Sequence, residues 1–384
     1  MKDWYEDLSD EGDDYPLDEY EMAANPNDFN VLTITNFIDR GVVKIPNFQR
    51  NYVWDINRAS RLIESLLIGL PVPQIFFYED AKNSYLVIDG QQRLMTIYYY
   101  IKGRFPREEK RVELRKIFSE KGTLPNNIMA DDEYFRKFNL RLPAPVPNQK
   151  NKFSGKNYET LVDYKLSFDL RTIRSIIVKP VIKNEESEDS AIFELFNRLN
   201  TGGVNLGDQE IRASIYHSDF MMLLNKLNNL SGWRNIIGTE IDIHMRDIEI
   251  LLRCFSFLFE KDSYTKSVKR FLNNFAKKSK KLKKERLEYL ENLFIKFDNY
   301  LSELDGELFR TKTGRFGTLL FENIFYYSLE EAIKNEDLNI KKFTAQQILT
   351  LKNDAAYSTL LSGPSSNTEA TKERYELAKK ILGL

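Results

Sequence analysis

VIDGQQRLMTI, residues 87–97, carries apolar residues at both ends and a polar knot of Asp89, Gly90, Gln91, Gln92 and Arg93 between them. Val87 and Ile88 suit a strand, whereas Leu94, Met95 and Ile97 suit the buried face of a helix, so the stretch predicts strand, turn, helix. A helix N-terminus offers unpaired backbone N–H groups and the positive end of the helix dipole, which together suit an anion. Gly90 allows a sharp turn or a close approach by a ligand. Arg93 falls in the first helical turn, where a cation opposes the dipole, so something negative must offset it. Gln91 and Gln92 add donors without charge. Two readings stand level on these residues alone: a cradle for a phosphate, or a turn in which Asp89 caps the helix and Arg93 pairs with a nearby acid.

Working outward, SYLVID and the preceding PQIFFYED are aromatic and β-branched runs flanking AKNS, which predicts a hairpin or adjacent strands. Further upstream, DINRASRLIESLLIGLP predicts a helix. Asp55 or Asn57 can cap it, Ile56, Ala59, Leu62, Ile63, Leu66 and Leu67 form one stripe, and Gly69 and Pro71 end it. Before it, IPNFQRNYVW places Gln49 and Arg50 among Phe48, Tyr52 and Trp54. Arginine beside aromatic rings suits a phosphate next to a stacked base, although a surface arginine on an aromatic core ring is the commoner meaning of such a pattern.

Composition narrows the chemistry. The chain has 384 residues with 13% aromatics, enough for a sizeable core in two substructures. One cysteine, Cys254, and two histidines, His217 and His244, leave no cluster for a structural zinc site and no recognisable Ser-His-Asp or Cys-His arrangement. Cys254 reads as a small buried residue, and the histidines as ordinary helix-face residues. Catalysis would then fall to carboxylates, arginine, glutamine and an oxygen-ligated metal. No run is long enough to span a bilayer, and no secretory signal is visible, so a cytoplasmic protein without a membrane partner is expected.

Residues 1–28 hold eleven Asp or Glu against Lys2 alone, a local charge of −10. The net charge of −1 therefore leaves +9 on residues 29–384. This leader is expected to be a disordered, solubilising segment. Lys266–Arg286 concentrates Lys277, Lys278, Lys280, Lys281, Lys283 and Lys284. Such a run can hold nucleic-acid backbone, though a solvated helix face is its commoner meaning.

The rest of the chain divides in two. A charged helix is expected at REEKRVELRKIFSEKG, a proline-rich loop at RLPAPVPNQKNKFSGKN, a strand at RSIIVKPVI and a helix at EDSAIFELFNRLNTGG. After Asp208 almost only helical patterns follow, including one continuous pattern over QEIRASIYHSDFMMLLNKLNNL. The expected architecture is α+β: a mixed α/β domain over 29–205 and an all-helical domain over 206–384.

The order of blocks from IPNFQRNYVW, through the helix ending SLLIGLPVP and the strand pair, to VIDGQQR closely resembles the N-terminal domain of GmrSD-type restriction proteins. The resemblance covers about Leu32 to Gly103. It continues through FNRLNTGGVNLGDQEIRASIY and MRDIEILLRCFSFL to about residue 260. It implies a ParB/sulfiredoxin-like fold for the mixed half, with nucleotide phosphates at Gly90 to Arg93 and with Gln49, Arg50 and Tyr52 facing the same nucleotide. It further implies NTP hydrolysis with Asp89, Gln92 and Arg93 as catalytic residues and Asp89 as a Mg2+ ligand, directly or through water. Gly90, Gln91, Asn197, Arg198, Asn200 and Thr201 would complete the nucleotide site; Glu210 and Arg212 could support it or could equally form an ordinary intrahelical pair. By the same resemblance the protein serves anti-phage or restriction defence. Relatives commonly add a nuclease domain with a histidine-based motif, for which no counterpart is found in this sequence, so either the nuclease is a separate chain or the helical half serves another output. Two other readings stay open: a non-catalytic nucleotide- or DNA-binding regulatory subunit, and a Mg2+-dependent DNA-nicking enzyme.

Overall fold

A computed structural model describes Trp4 and residues 22–44, 52–111, 113–114, 117, 124–144, 149–180, 185–199, 207–242, 244–265, 267–362 and 367–384. The chain divides into two compact units, Leu17–Leu206 and Met1–Pro16 with Gly207–Leu384. The first is mixed α/β and the second, among its described residues, is helical.

The mixed unit begins with β1 (Met22–Pro26), β2 (Phe29–Asn30), α1 (Val31–Asp39) and β3 (Val43–Lys44). It continues with α2 (Ile56–Ile68), β4 (Ile75–Ala81), β5 (Ser84–Asp89), α3 (Gln91–Ile101) and β6 (Arg104–Pro106). Short α4 (Asn126–Ala130), β7 (Phe135–Lys137), α5 (Lys165–Asp169) and β8 (Thr172–Ile173) lead to β9 (Ser175–Pro180) and α6 (Glu185–Leu199). The main sheet has the order β1-β9-β4-β5-β3. Its β3–β5 and β4–β9 pairs are parallel; β4–β5 and β1–β9 are antiparallel.

Period-two alternation sorts the sheet's side chains. Ile75, Phe77, Val87 and Ile177 join one buried cluster with Ile34 of α1, Ile63 and Leu66 of α2, and Leu94 and Ile97 of α3. Leu86 and Ile88 are also buried but point the other way, where α6 packs against β5 with Ile192, Phe193 and Phe196 buried. Each fully buried side chain of this kind contributes about 1.5–3 kcal/mol of hydrophobic stabilisation. Local signals place the helices as expected. Asn30 Oδ1 accepts from Thr33 N at 2.7 Å to start α1, and Asp55 Oδ1, rather than Asn57, accepts from Arg58 N at 2.7 Å to start α2. Gly69, in the left-handed region at φ +82°, ends α2.

One expectation is corrected. The acidic leader is not wholly disordered, because Met22–Pro26 pairs antiparallel with β9 as the sheet's edge strand. Trp4 is likewise anchored within the helical unit: its Nε1 donates to Asp242 Oδ2 at 2.8 Å, and its carbonyl accepts from Phe316 N at 2.8 Å. An edge strand is held by main-chain hydrogen bonds, so a low aliphatic content does not exclude one.

The helical unit contains α7 (Asp208–Ile215), α8 (Asp219–Leu227), α9 (Ser231–Ile237), α10 (Arg246–Glu260), α11 (Val268–Ser279) and α12 (Lys284–Leu301). It ends with α13 (Thr318–Asn335), α14 (Ala345–Asn353), α15 (Ala355–Ser362) and α16 (Thr368–Leu382). The single helical pattern expected over 209–230 is two helices, because Ser218 stops the run and caps α8 by accepting from Met221 N. His217 and His244 both lie between helices, not on helix faces. Cys254 is free and buried, and burial holds its thiol well above the usual range. Phe255, Phe294, Phe297, Phe321 and Phe325 interleave α10, α12 and α13. Glu322 of α13 lies buried among Arg253 of α10, Arg374 of α16 and Tyr375, so one carboxylate ties three helices.

Candidate functional site

β5 delivers Asp89 to the end of the sheet and Gly90 turns the chain into α3. Gly90 has φ +102°, and a Cβ there would meet Ile75 Cγ1 at 2.9 Å and Arg93 Nη2 at 3.2 Å. Position 90 therefore requires glycine on two grounds, a left-handed backbone and close packing over the start of β4. Gly90 is the N-cap of α3; no side chain caps the helix, and no acidic residue lies in its first turn. The alternative in which Asp89 caps α3 is thus excluded, while its second half is realised. Arg93 Nη2 donates to Asp89 Oδ2 at 2.8 Å and to Gln74 O at 3.0 Å. The Arg93 side chain is 17% exposed and that of Asp89 37%. Arg93 Nε is buried and, among the described residues, has no hydrogen-bond partner. A buried guanidinium N–H without an acceptor is costly, and an anion at the turn would satisfy it.

The strand pattern brings more of the chain to this edge. Because β3 runs parallel to β5, with Lys44 opposite Leu86, the chain leaves β3 towards the Asp89 end. Past residue 51 it is fastened to α3: Val53 N donates to Gln92 Oε1 at 3.0 Å, and Tyr52 OH lies 2.8 Å from Thr96 Oγ1. Tyr52 and Val53 are therefore held on α3, near the helix start. Gln49 and Arg50 themselves, Asn200, Thr201 and the side chain of Asn197 lie outside the described residues. β4 and β9 begin at the same edge, with Phe76 opposite Asp89 and Ile75 opposite Ser175. An edge where strands meet a helix N-terminus is a frequent ligand crevice in sheets of this kind.

Two expected roles change in kind. Tyr52 is 7% exposed, packed edge-on against Tyr99 and Phe105. Burial raises its hydroxyl well above the usual phenol range despite the bond to Thr96. Its ring is part of the core, packed with Tyr99 and Phe105. Gln92 likewise spends its side-chain oxygen on Val53 N, which suits a positioning residue better than a catalytic one. Gln91 is half-buried in the first turn of α3.

Arg198 is exposed on α6 and pairs with Glu194 at 2.6 Å within that helix. Glu210 and Arg212 are buried in the helical unit. Glu210 Oε2 accepts from Gly207 N at 2.7 Å and sits 3.1 Å from His244 Nδ1, and Arg212 Nε donates to Asn273 Oδ1 at 2.7 Å. These bonds give both residues a structural role. The lysine run spans the end of α11 and the start of α12. Lys278 pairs with Glu260 at 2.9 Å and Lys284 with Glu288 at 3.7 Å, while Lys281 and Lys283 are exposed.

Among the described residues, no group of three or more His, Cys, Asp or Glu side chains could hold a metal ion. Asp89, half-exposed and with one oxygen on Arg93, fits a Mg2+ that arrives on a ligand's phosphates, since that ion commonly keeps water and takes one or two protein carboxylates. Residues that sequence reasoning missed are Gln74, whose carbonyl holds Arg93, Val53 and Thr96, which fasten the upstream segment, and Ile75, which lies under Gly90. None belongs to a polar pattern, and each acts through backbone or packing. No helix among the described residues is long and apolar enough to cross a membrane.

Residues 31–217 match the family model of the GmrSD restriction endonuclease, N-terminal domain. No curated protein matches the chain. The matched span opens at the first residue of α1 and ends two residues beyond α7, so it contains the 89–93 turn, the β3–β5–β4–β9 sheet and the 197–201 stretch. Residues 31–217 of this chain are a GmrSD-type N-terminal domain.

Proposed function

We propose that this protein is a restriction-related defence protein whose 89–93 turn binds the phosphates of a nucleoside triphosphate and supports its hydrolysis. The observation that carries this reading is Arg93. Arg93 is a cation in the first turn of a helix that no side chain caps; Asp89 pairs with its Nη2, but among the described residues nothing accepts from its buried Nε, which leaves a donor for an incoming anion. The GmrSD match adds the restriction-related setting.

In this reading the triphosphate lies against the α3 N-terminus, beside the turn at Gly90. Arg93 turns from Asp89 Oδ2 to a phosphate oxygen, which frees Asp89. The chemistry that a Mg2+ would supply there is neutralisation of phosphate charge during hydrolysis. Asp89 is the residue that would hold it, directly or through water. Gln92 keeps the 52–53 segment on α3. Arg50 would supply a second cation to the phosphates.

The pairing of Asp89 with Arg93 also favours a second reading, in which the domain binds nucleotide without turnover and regulates a separate nuclease. Phosphate release from each of the four NTPs with Mg2+, by wild type, Asp89→Asn and Arg93→Gln, separates the two. Release that depends on both residues supports hydrolysis, and binding without release supports the regulatory reading. A folded protein that neither binds nor hydrolyses any NTP would overturn both.

A further inference from the structure

The mixed unit holds a second electropositive place that contains none of the residues 89–93. A cavity of about 660 Å³ opens between the first turns of α2 and the segment after β7. Arg61, Arg136, Lys137 and Arg141 line it. Among the described residues, none of the four is paired with a carboxylate. Arg136 is half-buried, its guanidinium carbon 5.3 Å from the centroid of the Phe105 ring, and its Nε is buried without a hydrogen-bond partner among the described residues. Burial and the charges of Arg141, Arg107 and Arg111 lower its pKa, with Glu108 pulling the other way. Four uncompensated cations around one concavity repel one another, an arrangement that becomes favourable when a ligand brings the opposite charge.

The rest of the lining indicates the ligand's size and character. Leu140, Leu142 and Pro143 give one apolar wall, and Asn57 and Asn139 add polar groups that can fix orientation. The volume lies within the usual range for small-molecule sites, roughly 300–1,000 Å³. A duplex backbone would call for cations spread along a surface at the spacing of successive phosphates, whereas here they converge on one pocket.

We propose that this cavity is a second anion site, which binds a small phosphate-bearing ligand of nucleotide size through Arg136 and Arg141. The phosphates contact the guanidinium groups, and the remainder of the ligand lies against Leu140, Leu142 and Pro143. This site is independent of the nucleotide turn at Arg93.

The test uses the full chain carrying Arg93→Gln, which weakens the turn, and titrates it with inorganic pyrophosphate, ATP, adenosine and a short DNA duplex by calorimetry. Pyrophosphate and ATP should still bind at one equivalent. Adding Arg136→Gln or the exposed Arg141→Gln should weaken each by roughly tenfold or more. Adenosine should not bind, and ATP binding more tightly than pyrophosphate would place the nucleoside on the apolar wall. Thermal unfolding provides a fold control: pyrophosphate should raise the midpoint of the Arg93→Gln protein and leave that of the two double variants unmoved. The proposal is overturned if Arg93→Gln alone removes all binding, or if both added substitutions leave affinity within about twofold. It is equally overturned if a DNA duplex is the only probe whose binding they weaken.

Discussion

Arg93 and Arg374 each donate Nη2 to a carboxylate oxygen, Arg93 to Asp89 at 2.8 Å and Arg374 to Glu322 at 2.6 Å, yet their surroundings differ completely. Glu322 and its two arginines are between 0 and 4% exposed, and the carboxylate also accepts from Tyr375 OH at 2.9 Å. Both Arg93 and Arg374 have a buried Nε that, among the described residues, lacks a hydrogen-bond partner, but Asp89 is more than a third exposed and Arg93 stands beside a helix N-terminus that no side chain caps. Desolvation makes the difference. A buried pair that loses a partner leaves a bare charge in the interior, whereas a pair at a crevice can exchange its partner for water or a ligand anion. The first arrangement fixes three helices, and the second is suited to binding.

The contrast can be broken most severely at Glu322. Glu322→Gln should destabilise the helical unit by about 3–5 kcal/mol, because Arg253 and Arg374 remain buried with less than their charge compensated. Urea denaturation followed by circular dichroism reads this directly, and a loss under about 1 kcal/mol would mean that Glu322 is not the tie between α10, α13 and α16. Arg93→Gln should act in the opposite sense. NTP affinity should fall by at least roughly tenfold, as expected for a lost charge-assisted bond, while unfolding stability stays within about 1 kcal/mol. Equal losses of stability at the two positions would erase the distinction.

Gly90→Ala probes the ground on which Arg93 stands. A left-handed alanine at φ +102°, pressed on Ile75, should cost about 1–2 kcal/mol and weaken NTP binding with it. Unchanged stability would show that the turn can relax.

A third carboxylate, Glu330, sharpens the scale from the surface side. Burial opposes its charge, but Lys334 Nζ at 2.6 Å and Tyr326 OH at 3.1 Å prevail and lower its pKa. A carboxylate with a lower pKa in the folded state contributes stability above its unfolded pKa, near 4.3, and loses that contribution as pH falls through the folded value. Glu330→Gln should therefore differ from wild type by a few tenths of a kcal/mol at pH 7, with the gap closing below about pH 4. A gap that persists in acid would assign the effect to packing.

Much of the mixed unit was legible because its signals are local. Asp55, the apolar stripe of α2 and Gly69 mark a helix without reference to anything distant, and the 75–89 hairpin follows from alternation. The strand, turn and helix around Gly90 were readable for the same reason. The partner of Arg93 was not, since the choice between Asp89 and an outside anion depends on rotamer and register. β1 stayed hidden because main-chain pairing leaves no composition. Tyr52 looked like a stacking residue because an aromatic beside an arginine reads the same whether the ring faces a base or Phe105. The cavity around Arg136 draws residues from positions 56–61 and 136–155, with no pattern joining them, so only the folded chain brings them together. The helical unit's short elements, α9, α14 and α15, carry too few turns for periodicity to declare them.

The central claim, that the 89–93 turn receives nucleotide phosphate, is tested most directly by a crystal structure of the full chain with Mg2+ and a non-hydrolysable NTP. The account predicts phosphate oxygens at the N-terminus of α3, with the Arg93 guanidinium turned from Asp89 Oδ2 onto one of them. A nucleotide bound elsewhere, with the Arg93–Asp89 pair intact at its present 2.8 Å, would contradict it.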